Sequence, residues 1–176
     1  MAVNRGKQFE DAIRESFEKV PGVSIDRLHD QTTKFKGTSA NICDFIVYRE
    51  PYEYYIECKS VHGNTLSIHS NDPKHKYGNI SNTQWEGLLE KSKIEGVTAG
   101  IICWWIDKDV TKFIPIQMLQ WFRDTGYKSV SYLALNSQPE VAQSIIEITG
   151  KKKRVFFDYD MEEFLNDSDR YSASGL

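Results

Sequence analysis

Two short apolar segments, each interrupted by charge, place the strongest constraint on the fold of this chain. Residues 42–48 and 54–60 both have the composition of β-strands, and a Pro-containing turn lies between them, so the pattern predicts a β-hairpin. Asp44 lies in the first segment, and Glu57 and Lys59 lie in the second. Charges buried in such apolar surroundings cost several kcal/mol unless they are paired or bound to a metal.

The spacing within the hairpin predicts where these charged side chains meet. Because side chains alternate along a strand, Glu57 and Lys59 share one face of the sheet. A hairpin centred on the Glu50–Pro51 bond puts Asp44 opposite Glu57, since both lie equally far from that centre. Directly opposed residues have Cβ atoms about 5 Å apart. Two carboxylates at that distance repel each other unless a cation lies between them, and their hard oxygen atoms suit Mg²⁺ or Mn²⁺.

A purely structural role for these residues is the alternative interpretation. Glu57 could form a cross-strand ion pair with Lys59, or the acids could lie on a solvated face of the sheet. For a generic hairpin the structural role is the more common one. The hairpin pattern alone therefore leaves both interpretations open.

Two further polar residues favour a functional site. Residues 5–20 carry apolar side chains at helical spacing, and Glu10 lies at the edge of that stripe, where it can face the sheet. An acid in the first turns of a helix also favours the helix dipole, which is a structural alternative. A second helix is predicted to start near Ser81, and Gln84 lies on the face shared with Leu88. Gln84 is equally explained as the capping-box partner of Ser81.

The remaining segments predict an α/β fold with a mixed β-sheet flanked by helices. Residues 97–106 are nearly continuously apolar, as in a strand buried on both faces. Residues 26–41 are polar and rich in turn formers, so they are predicted to form a loop or a partly extended segment. Strands are predicted at residues 65–69, 112–116, 127–135 and 154–157, and helices at residues 81–93, 117–123 and 139–148.

Length and composition favour one globular domain. The chain has 176 residues, 12% of them aromatic, which suits one packed domain and argues against disorder. Its apolar runs fall short of the roughly 20 residues that span a bilayer, and its N-terminus lacks the apolar segment of a secretion signal. We therefore expect a cytoplasmic protein with no membrane partner. Its three cysteines have no metal-ligand spacing, so neither a disulfide framework nor a zinc site is indicated.

Charge is distributed unevenly along the chain. The net charge is −3, yet residues 155–176 contain six acids and one base, so the rest of the chain carries +2. Basic residues cluster at residues 34–36, 74–76 and 151–154. Such patches can contact phosphate groups, although short charge runs are more often solvated surface.

Taken in order, these motifs resemble the PD-(D/E)XK nuclease superfamily. Its pattern is an acid on a first helix, then Asp44, then a gap of 12 residues before Glu57-Cys58-Lys59. Residues 4–10, 43–48 and 55–60 resemble more closely the RecU family of Holliday junction resolvases. Gln84 with Leu88, the Gly100-Ile101-Ile102 strand and Phe113-Ile114-Pro115 also fit that family. The resemblance covers about residues 4–122.

The resemblance implies a restriction-endonuclease-like fold and a homodimeric, Mg²⁺-dependent endonuclease. Such an enzyme cuts two strands of a four-way DNA junction symmetrically. Glu10, Asp44 and Glu57 would bind Mg²⁺, with Mn²⁺ as a substitute. Lys59 would activate the attacking water and offset charge on the scissile phosphate, and Gln84 would position water or phosphate. The residues predicted to contact DNA are Arg5, Lys7, Lys34, Lys36, Lys74 and Lys76.

On this interpretation residues 1–176 form a single nuclease domain, with a catalytic core at about residues 4–122 and an acidic tail at its end. RecU proteins carry a stalk before the catalytic Asp, and only residues 31–41 are available for it here. Junction selectivity would then rest on Lys34 and Lys36 or on the loop at residues 69–77. Two other functions stay open: a nuclease of this fold that cuts duplex or flap DNA, and a non-catalytic DNA-binding domain.

Overall fold

A computed structural model describes residues 4–28, 41–137, 139–153 and 157–173. The N-terminal half contains α1 (Arg5–Phe17), β1 (Ser24–Arg27), β2 (Phe45–Arg49), β3 (Tyr52–Val61), β4 (Thr65–Ser67) and α2 (Asn82–Lys91). These elements are followed by β5 (Val97–Trp105), a 3₁₀ turn (Ile106–Lys108), β6 (Val110–Pro115), α3 (Ile116–Asp124) and β7 (Ser129–Ser131). The C-terminal part contains α4 (Ala134–Ser137), α5 (Pro139–Ala142), β8 (Ile146–Glu147), β9 (Gly150–Lys152), β10 (Phe157–Tyr159) and α6 (Met161–Ala173).

A six-stranded mixed sheet in the order β1-β2-β3-β5-β6-β8 lies at the centre of the fold. Strands β3 and β5 run parallel, and α2 lies in the long connection that a parallel pair requires. The other neighbouring strands in this sheet are antiparallel. Two small antiparallel sheets pair β4 with β7 and β9 with β10. The predicted α/β fold, a mixed β-sheet flanked by helices, is confirmed.

Apolar side chains pack on both faces of the central sheet. One face, which we call the α2 face, is covered by α2, α3 and the β4–β7 pair. The opposite α1 face is covered by α1, β10 and α6. Ile101 and Cys103 of β5 point to the α2 face, and Ile102 and Trp104 point to the α1 face, which explains the continuous apolar run of this strand. The described helices are all too short or too polar to cross a lipid bilayer.

The β2–β3 hairpin has the predicted register. Its turn contains two residues, Glu50 and Pro51, and is centred on their bond, although it is shorter than the loop of several residues that was predicted. Asp44 lies just before β2, and its backbone N–H donates at 3.1 Å to the carbonyl oxygen of Ile56, the residue that is paired with Phe45. The ladder ends at the Phe45–Ile56 pair, so the predicted direct opposition of Asp44 and Glu57 is not part of it, although the two carboxyl groups lie close enough to interact.

Several predictions for the C-terminal third are wrong. Within residues 127–135 only β7 is extended, and the last residues of that range begin α4. Within residues 139–148 only α5 is helical, and β8 follows it instead. Strand β8 pairs with Lys112 and Phe113 of β6, so pairing at the sheet edge overrides the apolar spacing that suggested a helix.

Two other extended segments overlap the predicted ones, which the structure describes only in part. Strand β1 lies partly within the segment predicted as a loop or partly extended, and it pairs with β2 at the edge of the sheet. Residues 29–40 of that segment lie outside the described residues. The strand predicted at residues 154–157 begins at Phe157 and continues to Tyr159, and residues 154–156 also lie outside the described part.

The acidic C-terminal segment forms a packed helix, α6. Four of its residues at helical spacing, Met161, Phe164, Leu165 and Ser168, are buried. The ring of Phe164 contacts three aromatic rings on the α1 face, those of Phe17, Tyr54 and Phe113. Four of the six acidic residues of the segment therefore belong to a helix that closes the α1 face.

Replacing Phe164 by Ala is expected to lower the free energy of unfolding by about 3–5 kcal/mol, because a buried ring and its aromatic contacts are lost. Urea denaturation followed by circular dichroism measures this change. Glu162→Gln, on the exposed side of the same helix, is the matched control and should change the free energy by less than about 0.5 kcal/mol. A loss of under about 1 kcal/mol for Phe164→Ala would contradict the role of α6 in the core.

Candidate active site

Glu57, Lys59 and Gln84 meet on the α2 face beside Asp44. The Nζ atom of Lys59 lies 2.7 Å from Oε1 of Glu57. The Nε2 atom of Gln84 donates to the same Glu57 oxygen at 2.6 Å, and Lys59 Nζ donates to Oε1 of Gln84 at 3.3 Å. The hairpin and α2 thus bring together four of the five residues predicted to be catalytic.

Gln84 caps α2 and reaches the site at the same time. Its backbone N–H donates to Oγ of Ser81 at 3.2 Å, and its Oε1 accepts from the backbone N–H of Ser81 at 3.0 Å. The capping box therefore fixes the orientation of the Gln84 side chain while its Nε2 contacts Glu57. Gly87 lets the same helix lie close to the hairpin, since a Cβ atom there would come within 2.4 Å of Ile42 Cγ2.

The carboxylate of Asp44 is held across the hairpin by the backbone. Its Oδ2 accepts a hydrogen bond from the N–H of Cys58 at 2.8 Å. Burial raises the pKa of Asp44, although this hydrogen bond and the positive charge of Lys59 act in the opposite direction. The backbone thus fixes a partly desolvated acid beside Glu57.

Glu57 is the most deeply buried of these residues, with 2% of its surface exposed. Burial raises the pKa of Glu57 to about 8 against the effect of Lys59, and the negative charge of Asp44 adds to the increase. Its Oε2 atom is buried and receives no hydrogen bond from any described residue. A hydrogen bond with the Asp44 carboxyl group also raises the pKa of Glu57, and two adjacent buried acids are a costly arrangement for a purely structural role.

Glu10 is held at the edge of the site by an arginine. Arg27 Nη2 lies 2.6 Å from Oε2 of Glu10, and Arg27 Nη1 lies 2.9 Å from Oδ1 of Asp11. Burial and the charge of Asp44 raise the pKa of Glu10, whereas Arg27 lowers it. Sequence reasoning missed Arg27 because it placed the end of β1 in a segment predicted as a loop or partly extended, and a four-residue strand offers too short an alternation to detect.

The acids of the site supply some of the ligands that a divalent cation requires. Within the described ranges, no three acidic, histidine or cysteine side chains lie close enough to form a metal site by themselves. Asp44 and Glu57 nevertheless offer two adjacent hard donors, and the unsatisfied Oε2 of Glu57 would gain a partner. Mg²⁺ is commonly held by one or two carboxylates together with substrate phosphates, so two acids suffice. Glu10 stays a predicted ligand, and Arg27 contacts one of its two carboxylate oxygens, Oε2.

The predicted DNA-binding residues lie in several places. Arg5 and Lys7 are exposed at the start of α1. Lys74 is exposed in the loop before α2, and Lys76 in the same loop pairs with Glu86 at 2.7 Å. The other two predicted residues, Lys34 and Lys36, lie outside the described residues.

No protein-family model and no curated protein matches the chain. Among solved structures, the chain is similar to Hjc of Archaeoglobus fulgidus, a Holliday junction resolvase from an archaeal hyperthermophile. The two are 17% identical, the match covers 65% of this chain and 75% of Hjc, and the TM-score is 0.43. A likeness of this degree does not establish a family or a function for the chain.

In the presence of a chelator, the free energy of unfolding is expected to fall as pH rises from 4.5 to about 8. The pKa of Glu57 rises from its usual value of 4.5 to about 8 on folding, so the folded state binds more protons over this interval and loses stability as they dissociate. One such proton corresponds to at most about 1.4 kcal/mol for each pH unit.

Urea denaturation at several pH values across this interval measures the slope. Glu57→Gln carries no titrating group at this position, so its free energy of unfolding should fall less steeply with pH than that of the wild type. The shift of Asp44 acts in the same direction and leaves a smaller slope in the variant. Equal slopes for the two proteins would contradict a buried Glu57 with a raised pKa.

Proposed function

We propose that this protein is a Mg²⁺-dependent DNA endonuclease that cuts four-way junctions. The observation that carries the proposal is the position of Asp44 beside Glu57, which is buried and keeps one oxygen unsatisfied. An ion pair between Glu57 and Lys59 accounts for one carboxylate only. It gives no reason for a second acid on the same face, whereas a shared cation does.

Each residue of the site has a distinct part in the proposed hydrolysis of a phosphodiester. Asp44 and Glu57 bind Mg²⁺, which supplies positive charge that offsets the phosphate and eases deprotonation of water. Lys59 keeps an ammonium group next to Glu57, where it stabilises negative charge that develops on the phosphate. Gln84 holds the Glu57 carboxylate in one orientation from a rigid helix end.

The substrate and the oligomeric state are proposed from the sequence. The residues around Glu10, Asp44 and Glu57 resemble the RecU family of Holliday junction resolvases, which supports branched DNA as the substrate. A four-way junction has two-fold symmetry, so paired symmetric cuts need two active sites. A symmetric homodimer supplies them.

Cleavage of a labelled four-way junction and of a linear duplex matched in sequence tests the proposed function. Both are incubated with Mg²⁺ and, separately, with EDTA. We expect paired, symmetric nicks in the junction that depend on Mg²⁺ and are absent from the duplex. Equal cutting of both would support a nuclease with a different DNA substrate. Junction binding without cleavage of either would support the non-catalytic alternative.

Asp44→Asn and Glu57→Gln are each expected to lower the cleavage rate at least about a hundredfold, because a charged ligand is lost at the reacting phosphate. Junction affinity measured in EDTA should change little. Glu95→Gln is the matched control, since Glu95 is an exposed acid beyond the end of α2. Full cleavage by both site variants would refute the assignment of these acids.

Metal binding by the same variants gives a readout that does not depend on cleavage. Mg²⁺ and Mn²⁺ are each titrated into the wild type without DNA, and the thermal midpoint of unfolding is followed. Because binding to the folded state alone raises stability, we expect an increase in the wild type and a smaller one in Asp44→Asn. The control Glu95→Gln should behave as the wild type does. An equal increase in all three proteins would refute the metal-binding role of Asp44.

A further inference from the structure

A loop with three consecutive basic residues lies between β4 and α2, and the proposed chemistry does not use it. We call residues 68–80 the basic loop, since it contains Lys74, His75 and Lys76. It leads directly into the capping box of α2, whose Gln84 contacts Glu57. Its position is therefore tied to the helix end that lies at the candidate active site.

Arg123 of α3 joins the two ends of the basic loop. Its Nη1 atom donates to the carbonyl oxygen of Ile68 at 3.4 Å and to that of Lys76 at 3.2 Å. These carbonyl groups lie eight residues apart in sequence. One nitrogen of the guanidinium group thus contacts two points of the basic loop, its first residue and the residue before Tyr77.

An aromatic stack connects Arg123 to α2. The guanidinium carbon of Arg123 lies 4.2 Å from the centre of the Tyr77 ring. Tyr77 in turn stacks on Trp85, with ring centres 4.6 Å apart and planes inclined by 8°. Trp85 follows Gln84 on α2, and its Nε1 donates to Oε1 of Gln120 on α3 at 2.9 Å. The basic loop is therefore built onto the same two helices that cover the α2 face.

The tip of the basic loop is also fixed near the start of α2. Nδ2 of Asn82 donates to the carbonyl oxygen of Pro73 at 2.9 Å, which holds the residue just before Lys74. Oδ1 of Asp72 accepts from the backbone N–H of Lys74 at 2.8 Å, so this acid forms the turn. Gly78 has a positive φ of 68°, and a Cβ atom there would lie 2.5 Å from the carbonyl oxygen of Ser67. The local geometry thus requires glycine at this position.

The basic side chains at this tip differ in what they contact. Lys76 pairs with Glu86 of α2 and lies 4.7 Å from the Tyr77 ring centre, so its charge is partly used within the protein. Lys74 and His75 are exposed. Among the described residues, Lys74 forms no ion pair. Lys74 therefore presents its ammonium group to solvent from a loop that is held against the start of α2.

We propose that the basic loop binds the phosphate backbone of the DNA next to the cleaved position, with Lys74 as the contacting residue and Arg123 as the positioning residue. This inference rests on the proposed function, because it assumes a DNA substrate at Asp44 and Glu57. An ordered loop suits the task, since a prearranged contact loses less conformational entropy when DNA binds. Arg123 acts through the loop and has no direct contact with DNA.

The test measures the affinity for a fluorescently labelled four-way junction in EDTA over a series of KCl concentrations. Lys74→Gln is expected to bind about fivefold more weakly at moderate salt and to lower the slope of log K against log[salt] by about 0.9, which corresponds to one lost phosphate contact. Lys93→Gln is the matched control, because Lys93 is an exposed lysine beyond the other end of α2. It should leave both quantities unchanged.

A double-mutant cycle tests the positioning role of Arg123. Arg123→Gln should lower affinity and slope as Lys74→Gln does, and adding Lys74→Gln to it should weaken binding by less than about twofold further. Arg123→Lys keeps the charge but not the planar guanidinium group that lies over the Tyr77 ring, and it should not restore binding. Asn82→Ala removes the Pro73 contact at the tip and tests positioning independently if Arg123→Gln does not fold.

Two outcomes would overturn the inference. An unchanged salt slope in Lys74→Gln would remove the loop from the DNA-binding surface. Restored affinity in Arg123→Lys, or fully additive losses in the double variant, would show that Arg123 has no positioning role. Because binding is measured in EDTA, these results do not depend on cleavage. Absence of cleavage by the wild type would refute the proposed function alone, and an unchanged slope in a cleaving enzyme would refute the loop alone.

Discussion

The register of one β-hairpin determines the arrangement of the candidate site. The two-residue turn pairs Phe45 with Ile56, which brings Asp44 close to Glu57, and the hydrogen bond from the Cys58 N–H to Asp44 holds the first acid in place. A shift of one residue would move Glu57 and Lys59 to the α1 face, among the aromatic side chains beneath α6. The apolar residues on both faces oppose such a shift. The packing that stabilises the sheet therefore also keeps the two acids together.

This arrangement carries an electrostatic cost that the surrounding residues reduce without removing it. Lys59 and Gln84 both contact Oε1 of Glu57, yet burial still raises the pKa of this acid to about 8. A structural ion pair is usually satisfied at both carboxylate oxygens. The second oxygen of Glu57 has no such partner among the described residues. Burial of Glu57 thus reduces the stability that the core supplies. Such a local cost is typical of a site that binds a charged ligand.

The hairpin, its register and the residues of the site could be predicted because they depend on local alternation and on distance from a turn. The capping role and the site role of Gln84 looked like alternatives in the sequence, and one side chain fulfils both because its two polar atoms point to different partners. Arg27 and Arg123 could not be found in this way. Each acts through a partner distant in sequence, and an isolated arginine carries no periodic signal. Strand β8 was missed for a similar reason, since its extended form depends on pairing with β6.

Helix α2 connects the two halves of the proposed activity. Its first turn places Gln84 against Glu57, and the next residue, Trp85, supports the ring of Tyr77 in the basic loop. Movement of this helix end would therefore displace both Gln84, which contacts the Glu57 carboxylate, and the basic loop. Trp85 is completely buried and bonded to α3, so the helix end is held by the core rather than by solvent-exposed contacts. The proposed chemistry at Glu57 and the proposed phosphate binding at Lys74 thus share one rigid support, which would keep the distance between them constant when DNA binds.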